Sequence, residues 1–151
     1  MVGERVPRMK SVCLCGSFRF FNRIVEIESF LSGKGVVCYT PHPFQFRDQQ
    51  HPAYFGNGWD SLPYAEKLSE SQQAEQEYLG KIDKADVLYV VNPSGYVGKS
   101  VIFEMGYAYA KEKVICSLEP IEDFAVMSLV HKTFSPEDLI KFLTEECTVL
   151  E

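Results

Sequence analysis

The sequence has no long hydrophobic run, no basic run and no low-complexity tract. Its first apolar stretch follows MVGERVPRMK and ends at Gly16-Ser17, too short for a signal-peptide core or a membrane span. This reading predicts a cytoplasmic protein that does not engage a membrane. Lysine and arginine total 15 against 21 acidic residues, a net charge of −6. A general binder of nucleic-acid backbone is therefore excluded, whereas a small anion held by a local cluster of donors is not. The 5 cysteines include no C-x-x-C pair and no Cys/His cluster with zinc spacing, which argues against a structural metal or a redox dithiol. Cys13, Cys15, Cys38 and Cys116 fall in apolar, strand-like runs and read as buried free thiols in a reducing compartment.

What is present is the composition of one globular domain: 151 residues, 46% hydrophobic and 24% charged. Residues 1–9 read as a flexible leader and 10–151 as the domain. Short apolar runs at 11–15, 36–39, 87–91 and 114–118, each closed by turn-forming residues, predict buried strands. Between them lie helical patterns. Phe20, Ile24, Ile27 and Leu31 recur at helical spacing before Gly33 and Gly35. Pro63–Lys84 is polar and helix-favouring, anchored by Leu68, Leu79 and Ile82. Ser100–Lys111 carries Gly106, Ala108 and Ala110 for close packing. Residues 121–134 predict a short helix and a strand near Val126–Val130, and Ser135-Pro136-Glu137-Asp138 opens a last helix. Residues 40–62, with several prolines among Phe44, Phe46, Tyr54, Phe55 and Trp59, form a connector long enough to be functional or interface-forming.

Alternation of this kind predicts an α/β, single-domain, flavodoxin-like or Rossmann-like three-layer fold with a mostly parallel, about five-stranded sheet. Ligands in such sheets bind at the carboxyl ends of the strands. That rule gathers Gly16–Arg19, Thr40–Phe46 and Asn92–Glu104 into one region. Gly16 and Ser17 open a strand-to-helix turn whose free N–H groups suit an anion, with Arg19 beside them. The same turn is also what a serine helix cap would produce.

Gly98-Lys99-Ser100 resembles the end of a phosphate-binding P-loop. The first glycine of that motif is replaced by Pro93, and the nucleotide triphosphatase reading fails. A flexible glycine loop feeding a helix remains, with Lys99 as a point charge and Ser100 as a hydroxyl donor or a cap. Glu104, one turn into that helix, is a candidate nucleophile toward an electrophilic carbon, kept ionised by the helix dipole, or simply a dipole-matching carboxylate. His42, after the second strand, is a candidate contact to a base or phosphate, or a loop histidine between prolines.

Three segments carry a resemblance. They are Cys13–Ser17, Lys81–Val91 and Gly95–Ala108, the last ending in Glu104-Met105-Gly106-Tyr107-Ala108. Together they are similar to the nucleoside 2-deoxyribosyltransferase-like superfamily, which includes N-glycosidases of deoxynucleoside 5′-monophosphates. The resemblance implies a homodimer or larger assembly without metal or redox cofactor, acting on a small nucleotide or nucleoside. It also implies that Glu104 attacks C1′ of the sugar as the base departs, in the manner of a retaining glycosidase. Ser17, Arg19 and Ser100 would then serve a 5′-phosphate. The chain departs from the transferases at three places. Tyr78 stands where they carry an aspartate, with Glu75 and Glu77 nearby; Gly98 replaces another acid; and Cys13 replaces a first-strand tyrosine. The acid that protonates the leaving base is therefore unassigned. The same fold without turnover, a nucleotide sensor, is the alternative.

Overall fold

A computed structural model describes residues 9–41 and 62–149, with side chains through Thr144. The predicted strands form β1 (Val12–Cys15), β2 (Cys38–Tyr39), β3 (Val87–Val90) and β4 (Val114–Ser117), joined by β5 (Lys132–Thr133). The sheet runs in the order β2-β1-β3-β4-β5, and every pairing is parallel. Val12 registers with Cys38 on one side and Val87 on the other. The helices are α1 (Phe21–Gly33), α2 (Tyr64–Lys84), α3 (Lys99–Ala110), the short α4 (Phe124–Met127) and α5 (Pro136–Val149).

Period-two alternation in fully buried strands gives the domain two cores. Val12, Leu14, Val87 and Tyr89 face one layer with Ile24, Ile27 and Leu31 of α1 and Leu139 and Leu143 of α5. Cys13, Cys15, Leu88 and Val90 face the other, with Tyr78 and Ile82 of α2 and Val101, Met105 and Ala108 of α3. Each fully buried Leu or Ile contributes roughly 1.5–3 kcal/mol relative to an exposed position.

Local chemistry explains most boundaries. The α1 pattern starts as a 3-10 turn, Phe18–Phe20, under Ser17. The chain leaves α1 through Gly35, whose φ of 88° is a left-handed conformation that suits glycine. Ser135 Oγ accepts from Asp138 N at 3.1 Å and caps α5 as its sequence predicts. Asp86 accepts from both N and Oγ of Ser11, tying the entries of β1 and β3.

Several expectations are corrected. Val126 and Met127 end α4 and residues 128–130 follow as a turn instead of forming a strand, because Asp123 caps a helix through Val126 N; the edge strand comes later, at Lys132–Thr133. Leu68 is exposed and does not anchor α2, where Tyr78 and Ile82 are buried. Of the three small residues in α3 only Ala108 is buried, and a side chain at Gly106 would meet open space. Met9, assigned to the leader, packs against the α1/α5 core. The rest of the leader lies outside the described residues, as do residues 42–61 with His42 and the aromatic segment. No described helix is long and apolar enough to cross a membrane.

Candidate active site

With α1 on one face and α3 on the other, the chain reverses its winding between β1 and β3, and the crevice beyond the carboxyl ends of those strands is where such sheets bind ligands. A cavity of about 480 Å³ lies there. Its wall includes Gly16, Ser17 and Phe18 after β1, Tyr96 and Gly98 after β3, and Lys99, Ser100 and Glu104 of α3. The near face of α2 contributes Ser71, Ala74, Glu75 and Tyr78.

Gly16 is fixed by packing: a Cβ there would sit 2.7 Å from the Val91 carbonyl and 3.1 Å from Ile24 Cδ1. Only glycine lets the chain turn into the cavity at that distance. Ser17 both lines the cavity and caps the 3-10 turn, accepting from Arg19 N at 3.5 Å. Arg19 itself is not on the cavity wall. Its guanidinium lies 3.9 Å from the centre of the Tyr96 ring, which Phe20 meets edge-on at 6.0 Å. It is thus a rim cation in the free protein.

The loop after β3 is anchored at its start. Asn92 is fully buried and exchanges two hydrogen bonds of 2.9 Å with the Glu119 backbone. Gly95 has a φ of 80°, and a Cβ on it would lie 2.8 Å from the Pro120 carbonyl. The loop delivers Gly98 as the N-cap of α3, with no side-chain capping bond. Lys99 and Ser100 therefore begin the helix exposed at the cavity, and Ser100 is not its cap.

Glu104 lies beyond the first turn of α3 and is 8% exposed. Burial, together with a hydrogen bond to and repulsion from Glu75, pushes its carboxyl up to about 9. The dipole argument for an ionised Glu104 is thus overturned: the dipole's effect fades within the first turn, and desolvation dominates. Cys15 at the end of β1 opposes this, donating from Sγ to Glu104 Oε1 at 3.4 Å. Cys15 keeps its proton, since burial and the adjacent carboxyl raise the thiol well above its ordinary value. Tyr78 directs its hydroxyl to the Leu14 carbonyl at 2.6 Å, and burial raises it in turn.

The strand-end rule left out the α2 wall, and only the resemblance pointed to Tyr78 and its neighbour Glu75. The signal was present in the i, i+3, i+4, i+7 spacing of Ser71, Ala74, Glu75 and Tyr78, which puts them on one helical face. It was obscured by the polarity of the whole helix. Asp83, near the carboxyl end of α2, lies outside the site. It accepts from Tyr107 OH near the amino end of β3, away from the cavity.

No protein-family model and no curated relative matches the chain by sequence. Among solved structures it resembles a 2-deoxyribosyltransferase from the psychrotolerant bacterium Bacillus psychrosaccharolyticus. That match has a TM-score of 0.63 and 14% identity, over 91% of this chain and 95% of the other. A conserved protein from Enterococcus faecalis V583 matches with a TM-score of 0.55 and 13% identity, over 92% of this chain and 99% of the other. The fold is therefore that of the nucleoside deoxyribosyltransferases, in agreement with the resemblance carried by the residues.

Proposed function

We propose that this protein cleaves the N-glycosidic bond of a deoxynucleotide or deoxynucleoside, with Glu104 as the nucleophile. The observation that carries the reading is a buried carboxyl opening into a cavity at the switch point of a sheet shared with a 2-deoxyribosyltransferase. Glu104 Oε attacks C1′ as the bond to the base breaks, through an oxocarbenium-like transition state. Water or a second base then releases the glycosyl-enzyme.

The entrance favours a 5′-monophosphate over a bare nucleoside. Ser17, Lys99 and Ser100 line it, α3 has no side-chain cap there, and Arg19 supplies a second cation at the rim. Phe18 and Tyr96, 50% and 40% exposed, offer aromatic faces to the base. A homodimer remains part of the proposal. Ile102, Phe103 and Tyr109 of α3 stand exposed.

Chromatography of free base released from a panel of deoxynucleoside 5′-monophosphates and deoxynucleosides tests the reading. Release from monophosphates in preference to nucleosides is expected. Tyr78 in the position of the transferase aspartate favours a second reading, a nucleotide sensor. Tight binding across the panel with no base released would select it.

A further inference from the structure

The contact between Glu75 and Glu104 joins two carboxyls on different helices at the wall of one cavity. Glu104 is buried and Glu75 is half-buried. Two carboxylates in contact cannot both stay ionised in a desolvated site, so the resting pair holds a proton, and burial assigns it to Glu104. A nucleophile that rests protonated must lose that proton before it attacks, and the leaving base must gain one. The same proton can serve both needs.

We infer that Glu75 is a catalytic proton carrier, taking the proton from Glu104 when substrate is bound and passing it to the departing base. The inference rests on Glu104 being the nucleophile. Among the described residues no other neighbour fits the role. Cys15 donates to Glu104 but retains its proton, and its S–H steadies the carboxylate once formed. Cys13, one pleat back on β1, is likewise held as the thiol by burial, up to about 12. Tyr78 OH is engaged by the Leu14 carbonyl, and the Lys81 ammonium by the Thr40 carbonyl at 2.8 Å. Lys99 lines the entrance and attracts anions, with no contact to the pair.

The proton balance closes over the whole cycle. Glu104 O–H transfers its proton to the Glu75 carboxylate. The Glu104 Oε–C1′ bond forms while C1′–N breaks with its electron pair on the base, and Glu75 O–H protonates the base nitrogen. In the second half, the Glu75 carboxylate takes a proton from water as the water oxygen bonds to C1′. The ester C1′–O bond then breaks with its pair on Glu104, and the proton returns from Glu75 to Glu104.

A leaving-group series separates this role from that of the nucleophile. Wild type, Glu75→Gln, Glu75→Asp and Glu104→Gln are assayed on 2′-deoxyribose 5′-phosphates of natural bases and of strongly acidic nitroazoles, which depart as anions without a proton. Glu75→Gln should slow release of natural bases by about 10²–10⁴-fold. It should hold nitroazole release to within about tenfold: the substitution also removes the carboxylate whose repulsion helps keep Glu104 protonated, so Glu104 ionises without a carrier, and a nitroazole departs without a proton. Glu75→Asp should restore part of the natural-base rate, and Glu104→Gln should abolish both. A uniform loss across the series in Glu75→Gln, or no loss at all, overturns the carrier role and leaves the nucleophile standing. A wild type inert on every member overturns the glycosidase reading and the carrier with it.

Discussion

The two faces of the sheet are built from alternate residues of the same strands and do different work. Val12 and Leu14 point into a layer with α1 and α5 where every core side chain but Tyr89 and Cys116 is aliphatic. Cys13 and Cys15, one residue away, point into a layer where a tyrosine hydroxyl, two thiols and a carboxyl are buried together near α2 and α3. The first face gains stability from burial. The second gives some of it up, because Glu104 must be kept desolvated beside another carboxyl. On the proposed function, stability and chemistry are thus separated by a single step along β1.

The comparison is tested most severely at Glu104. Glu104→Gln keeps shape and hydrogen-bonding reach but removes the attacking charge, and base release should fall by about 10³-fold or more, equivalent to about 4 kcal/mol. Azide should partly rescue Glu104→Ala. On the opposite face, Leu139→Ala should lower unfolding free energy by about 3 kcal/mol in denaturant melts while the rate of the folded protein stays unchanged. Equal effects on rate and stability from both substitutions would erase the distinction between the faces.

Acid–base linkage gives the next effect. The folded carboxyl of Glu104, near 9, lies above its ordinary 4.5, so between these values the folded state binds more protons than the unfolded one. Its contribution is full below 4.5 and is lost as pH rises through 9. The wild-type fold should therefore weaken with alkalinity in this window by up to about 1.4 kcal/mol per pH unit. Glu104→Gln should flatten the slope, and at pH 8 should be more stable than wild type. Melts at several pH values check both signs, and a Gln variant less stable at pH 8 would contradict the burial argument.

Smaller changes are expected at the rim. Lys99→Ala should weaken monophosphate affinity about tenfold by calorimetry, roughly 1.4 kcal/mol, with a reduced salt dependence and little effect on nucleosides. Phe103→Asp should alter monomer stability by no more than about 0.5 kcal/mol, since the side chain is exposed. Sedimentation of that variant should show the proposed homodimer shifted toward monomer.

Much of this arrangement is legible in the chain itself. Four strands, their parallel pairing and the meeting of the turns after β1 and β3 at the carboxyl ends follow from short apolar runs closed by turn residues and separated by helical spacing. Two elements resisted the same reasoning. The edge strand β5 has only Lys132 and Thr133, both exposed, so it carries no apolar signature, and its partner β4 alone defines it. The glycine loop that follows Pro93 gave no local sign of the Asn92–Glu119 clamp, which anchors its start across 27 residues.

Sequence by itself determined the class of fold, the end of the sheet where the cavity opens and the candidacy of Glu104, because periodicity and turn chemistry are local properties. The protonation of that residue was decided only in three dimensions. Cys15 is 89 positions away along the chain and yet 3.4 Å from Glu104, and Glu75 reaches it from another helix. A helix dipole can be read from a short stretch of residues. Desolvation and the repulsion of a second carboxyl depend on what the whole chain packs around the group, and here they outweigh the dipole.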